Sequence, residues 1–273
     1  MSIVPPMAVP LRDAKPSQLG LAIALAYRDF NLSQSQAVAI AQFPVDATYA
    51  GVQSVLESRF QEALQLAEFH GIVKPDSTAP SEYAAVIQTA AEQQLESIDK
   101  SAKVAATVLL HDATENYLLS LIRLASISNR EKAIECIAKR KIELATLRAS
   151  DVEKATDDQL ECWLDELDRK PLPEKWRVLV RLLGSPPALR SENWHFDETM
   201  LSEFDEVRHN CVHHGGAKLK TYDFDSFQSQ LSRAVLVLGV EIAKSLSVQV
   251  PAEVAFNAMA PEDYMAALQL PNI

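Results

Sequence analysis

Between Pro80 and Ser128 the chain carries a helical signal whose second half is apolar almost all round. Val104, Val108, Leu109, Leu110, Leu118, Leu119, Leu121 and Ile122 leave only a polar strip of Asp112, Asn116, Ser120 and Arg123. A helix with that distribution is not satisfied on a surface; it belongs at the centre of a bundle, with other helices laid around it. The rest of the chain supplies them. Only 7 glycines occur, most of the 14 prolines fall at the N-terminus or between periodic segments, and Ala, Leu, Gln and Glu dominate what remains. That composition favours helix throughout. The expected fold class is all-α, a helical bundle with an N-terminal helical extension.

The expected organisation is an N-terminal helical segment over residues 1–95, a bundle over 96–250 and a C-terminal tail over 251–273. Four prolines and no periodicity make residues 1–16 an extended lead-in. Helices are expected at about 17–30, 33–42 and 46–69, then from 80 to 128 with a break near Asp99 to Ser101. Further helices follow at 130–148, 151–170 and 171–183, the last stopped by Gly184-Ser185-Pro186-Pro187. A loop then runs to about His195, Asp197 is placed to cap the next helix, and a long closing helix covers 223–247. No internal repeat, P-loop, G-x-S-x-G motif or C-x-x-C pair is present.

A chain of 273 residues with 48% hydrophobic and 23% charged content buries a sizeable core without staples. Its net charge of -11 argues against indiscriminate nucleic-acid binding, because phosphate contact depends on an excess of lysine and arginine. Residues 33–57 look superficially like a DNA-binding helix-turn-helix, yet no lysine or arginine occurs from Asp29 to Ser58, so a packing role is expected and DNA is not. Cys136, Cys162 and Cys211 are odd in number and widely spaced, which suggests neither a disulfide framework nor a zinc ribbon, and a reducing cytoplasm is inferred. The short apolar run Leu19 to Tyr27 follows several prolines and precedes Arg28-Asp29, unlike a signal peptide, and nothing approaches the ~20 apolar residues of a membrane span.

Chemistry concentrates in residues 204–216, where three of the six histidines accompany Arg208 and Asn210. Phe204, Val207, Cys211 and Val212 recur at the spacing of a buried stripe, and Gly215-Gly216 stand where a left-handed C-terminal cap is usual. The polar groups therefore occupy the last turns of a helix.

Arg208-His209-Asn210-Cys211-Val212-His213, followed by His214-Gly215-Gly216, resembles the R-x4-6-H signature of the HEPN superfamily (higher eukaryote and prokaryote nucleotide-binding domains). The motif covers about ten residues, and a wider likeness over roughly 100–247 rests on helical layout. The resemblance implies an all-helical homodimer, often a metal-independent endoribonuclease without a cofactor, used as a toxin or in defence and answered by an antitoxin or regulatory partner. It also implies that Arg208 and His213 line a cleft between protomers, with His209 as the polar neighbour and Asn210 beside them.

The residue chemistry agrees with RNA as the partner. Attack by a ribose 2′-OH needs a group that moves protons near neutral pH and a fixed cation that stabilises charge on phosphate, and histidine and arginine supply these. Residues five apart diverge by about 140° round an ideal helix, so Arg208 and His213 do not share a narrow face and a second subunit is one way to complete a site. Two other readings stand beside this one. Asp205, His209 and His213 lie at i, i+4 and i+8, a partial site for zinc or iron in a metal-dependent enzyme. Histidines also collect at helix C-termini simply because they suit the dipole. A catalytically silent HEPN-like dimer that binds a partner or nucleotide is the further alternative.

Phosphate attraction is expected at Lys139, Arg140 and Lys141 and along Arg177 and Arg181, a turn apart, although charge runs are commonly solvated faces. His111 and Glu115 lie a turn apart on the central helix: His111 reads as a satisfied core histidine, and the functional alternative is that this helix packs beside the Arg208 helix and supports the site, with Glu115 orienting its histidines. Residues 151–170 carry eight acidic groups and should face away from RNA.

Overall fold

The central helix, here α3 (Ala79–Ser128), runs unbroken for 50 residues. In this computed structural model the described residues are 15–42, 45–69, 79–138, 152–184, 190–191, 194–195, 197–216 and 223–251. Around α3 stand α1 (Pro16–Ala41), α2 (Val45–Phe69), α4 (Arg130–Ile137), α5 (Val152–Asp168), α6 (Leu172–Leu183), α7 (Glu198–His214) and α8 (Phe224–Ser245). The fold is all-α, as the composition implies. Leu110, Leu118, Leu121, Ile122 and Ala125 on α3 are fully buried because partners approach from several sides, among them α1, α6, α7 and α8. Each fully buried Leu or Ile contributes roughly 1.5–3 kcal/mol.

Two expected breaks are absent. The stretch near Asp99–Ser101 stays helical: no glycine or proline interrupts it, Asp99 pairs with Lys103 one turn on at 3.0 Å, and the Ser101 hydroxyl donates to the Ser97 carbonyl at 2.8 Å. The two helices expected at 17–30 and 33–42 are one. Ile23, Tyr27, Phe30, Gln34 and Ala37 continue a buried stripe through the junction, so packing overrides the mild reluctance of Asn31 and Ser33. Gln34 earns its buried place by donating to the Gln228 carbonyl and side chain and accepting from the Ser232 hydroxyl, all on α8. A division near residue 95 would fall inside α3, and α1 shares one hydrophobic cluster with α3 and α5 to α8. Residues 43–44 between α1 and α2, residues 1–14 of the expected lead-in 1–16, the tail after 251 and any continuation of α4 to 148 lie outside the described residues.

In place of a plain loop before α7 there is a two-residue antiparallel pair, Arg190–Ser191 against Trp194–His195. Asp197 caps α7 as expected, accepting from the Met200 amide at 3.0 Å, and Asp223 caps α8 in the same way through Ser226. Among the described residues no helix is long and apolar enough to cross a membrane.

Helix α8 is fastened to α3 where the buried Tyr117 hydroxyl donates to the Val235 carbonyl at 2.9 Å. Burial pushes the Tyr117 phenol far above its ordinary range, so it remains a neutral donor. Close approach here depends on Gly239, where a Cβ would sit 2.8 Å from the Tyr117 hydroxyl. Gly239→Ala is therefore expected to destabilise the protein by about 1 kcal/mol, the overpacking cost of ~1–3 kcal/mol outweighing a helix-propensity gain of ~1 kcal/mol. Urea denaturation checks this, and Tyr117→Phe in the same background should recover most of the loss by removing the clashing oxygen.

Candidate functional site

Helix α7 buries Met200, Leu201, Phe204, Val207 and Cys211 against α3 and α6. Val212, expected in this stripe, is instead 49% exposed. It follows Cys211 by about 100° and so lies off the edge of the buried face. The Cys211 thiol is held above its usual pKa by burial, partly offset by a hydrogen bond with Thr107, which makes it a packing group rather than a nucleophile.

The last turns carry the motif residues. His209, His213 and His214 are exposed while Arg208 and Asn210 are half-buried. The His209 and His213 rings lie 4.5 Å apart, and His209 lies 6.0 Å from His214. Arg208 is turned inward enough that its Nε is buried, so it and His213 occupy different faces, as their five-residue spacing requires. The helix ends in the left-handed Gly215 (φ 59°) and Gly216 (φ 73°), whose amides both reach back to the Asn210 carbonyl. A side chain with a Cβ is strained at either position.

Asp205 belongs to a second, inner group. One carboxylate oxygen meets His111 Nε2 of α3 at 2.6 Å and the other accepts the Leu172 amide at the start of α6 at 2.9 Å. It thus ties three helices together, and the His111 ring is further held against Phe204 at 5.2 Å. This corrects the expected Asp205, His209 and His213 metal site, because both Asp205 oxygens are committed away from the exposed histidines. Among the described residues, the group of possible metal ligands within mutual reach is His111, Asp112 and Glu115, their ligand atoms within 4.8 Å of one another. Burial alone would lower the His111 pKa, but the carboxylates of Asp112 and Asp205 and the charge of Glu115 outweigh it and raise the pKa above its ordinary value. Asp112 acts on Nδ1 as a nearby charge, since 3.8 Å is too long for a hydrogen bond.

Glu115 does not orient the α7 histidines. It accepts from Lys175 of α6, a fully buried cation that also donates to the carbonyls of Asp168, at 3.0 Å, and Lys170. Helix α3 does pack beside α7, and the polar link between them is His111 to Asp205. Sequence reasoning overlooked Lys175, although the signal was present: it falls within the apolar spacing Leu172, Trp176, Leu179 of α6, where a lysine must find buried partners.

Of the expected phosphate-binding groups, Arg177 is paired with Glu198 in the first turn of α7, which holds its pKa up and that of Glu198 down, and Arg181 reaches the Glu135 carbonyl at 3.4 Å. Lys139, Arg140 and Lys141 lie outside the described residues. Comparison with protein-family models, curated proteins and solved structures finds no match to this chain.

Proposed function

We propose that the protein is a metal-independent endoribonuclease of the HEPN type, working as a homodimer in a toxin or defence setting. The observation that carries this reading is the end of α7. His209 and His213 stand exposed with rings 4.5 Å apart, next to an arginine, on a helix whose opposite face is anchored in the core. An imidazole there can take the proton of a ribose 2′-OH as its oxygen attacks the adjacent phosphorus, and a second imidazole can protonate the departing 5′-oxygen. The Arg208 guanidinium would stabilise the charge gathering on the phosphate. Val212, exposed among these groups, gives a second copy an apolar foothold, so a two-fold dimer would place two sets of Arg208 and His213 about one cleft.

The test is incubation of purified protein with labelled total RNA in EDTA. Fragments ending in a 2′,3′-cyclic phosphate or its hydrolysis product are expected, together with sedimentation as a dimer at micromolar concentration. Abolition of cleavage by EDTA, or a monomer that cuts RNA, counts against the reading.

A second reading, a silent HEPN-like dimer that binds a partner or nucleotide, draws support from Arg177 and Arg181 being engaged by groups of the protein itself and from the net charge of -11. It predicts no salt-dependent binding of RNA at all.

A further inference from the structure

We infer that His111, Asp112 and Glu115 form a binding site for one divalent transition-metal ion, of the manganese-to-zinc class, on the side of α3 that faces α6 and α7. The site is separate from the exposed histidines at the end of α7, and its role is to hold the bundle together rather than to cleave RNA.

The first observation is the triad itself. One imidazole nitrogen and two carboxylates lie within 4.8 Å of one another, with Asp112 half-exposed and so open to an arriving ion. A mixed set of one nitrogen and two oxygens suits borderline cations and leaves positions for water. The second observation concerns His111, which is 5% exposed. Its Nδ1 is buried and has no hydrogen-bond partner among the described residues, although buried polar atoms ordinarily find one. That nitrogen is 3.8 Å from Asp112 Oδ1. The gap is too wide for a hydrogen bond and close to the ~3.4 Å that separates two ligand atoms on a tetrahedral ion with bonds of about 2.1 Å.

The other side of the ring supports the same assignment. With Nε2–H donated to Asp205 at 2.6 Å, the neutral imidazole keeps its lone pair on Nδ1, directed at the triad. A carboxylate behind a histidine in this way fixes the tautomer of a metal-binding ring and raises its basicity. Charge also balances. Asp112, Glu115 and Asp205 set three carboxylates around His111, Lys175 engages one Glu115 oxygen, and with the imidazole neutral a divalent ion would offset two further negative charges. Because Asp205 also holds the Leu172 amide, an ion on Nδ1 would tighten α3, α6 and α7 together.

The test must silence the exposed histidines, since His209 and His213 are spaced to bind zinc by themselves. In a His209→Ala, His213→Ala, His214→Ala background freed of metal with EDTA, Zn2+ is titrated by calorimetry and the imidazole nitrogen resonances of His111 are followed. One Zn2+ per chain is expected, with a shift at Nδ1 rather than Nε2. The melting temperature should rise by about 5 °C at a hundredfold excess over the dissociation constant. Asp112→Asn in the same background should weaken binding at least tenfold while its helical circular dichroism in EDTA stays at the level of that background, because Asp112 touches the ring as a nearby charge and not as a packing group. No stoichiometric Zn2+ binding, equal affinity in Asp112→Asn, or a shift at Nε2 overturns the site. None of these readouts uses RNA, and cleavage that persists in EDTA is compatible with a structural ion, so this inference and the nuclease reading succeed or fail separately.

Discussion

Lys175→Met is expected to cost about 3 kcal/mol of stability, read as a lowered urea midpoint at unchanged slope. The side chain is fully buried, and its three donors are all used, by the Glu115 carboxylate and by the carbonyls of Asp168 and Lys170. The carbonyls lie at and just beyond the end of α5, where the helix dipole is negative and the last C=O groups have no partners of their own. One ammonium group therefore finishes α5, anchors α6 and joins both to α3. Methionine keeps the length and the apolar contacts, so the loss is electrostatic. Removing one member of a buried pair typically costs ~3–5 kcal/mol, and the lower end applies because Glu115 retains 25% exposure and can recruit water. Glu115→Leu added to Lys175→Met should recover part of the loss, since apolar replacement of both partners is often close to neutral. A double variant no more stable than Lys175→Met would mean that the two carbonyls, and not Glu115, hold most of the interaction.

This lysine also marks where the sequence stops being readable. Helix α3 could be placed at the centre because apolarity on all sides is a local property, visible in Leu110, Leu118, Leu121 and Ile122 without knowing their neighbours. The limits of α7 were equally local: Asp197 offers an acceptor to the first turn and Gly215 tolerates a positive φ. What could not be read is which distant group answers a given polar side chain. Gln34 sits in an apolar stripe because Gln228 and Ser232 await it on α8, and that pairing kept α1 whole where local propensity suggested a break. Asp205 shares a face with His209 and His213 by spacing alone, yet it turns to His111 and Leu172, since a carboxylate at the junction of three helices satisfies an amide and a ring of two buried residues. Glu115 was placed correctly on the helix beside α7 and wrongly joined to its histidines, because the competing cation comes from α6.

His213→Ala and Arg208→Ala are each expected to lower RNA-cleaving turnover by roughly 10²-fold or more, the scale on which a general acid–base or a charge-stabilising group contributes. The two should differ in what else they change. His213 is exposed at the end of α7, so its replacement removes an imidazole and little packing, and the helical circular dichroism and urea midpoint should stay at wild-type values. Arg208 is half-buried with its Nε enclosed, so alanine also removes a partly buried apolar stem, and a modest loss of stability should accompany the loss of turnover. Arg208→Lys separates these contributions: it restores stem and charge but not the planar fork, and should recover stability while leaving turnover low if the guanidinium grips phosphate in two places. Single-turnover assays at saturating RNA place the defect in chemistry rather than in binding. A His213→Ala protein that cleaves at the wild-type rate would remove this residue from the mechanism, and if His209→Ala does so too, the exposed imidazoles are only the favourable end of a helix dipole.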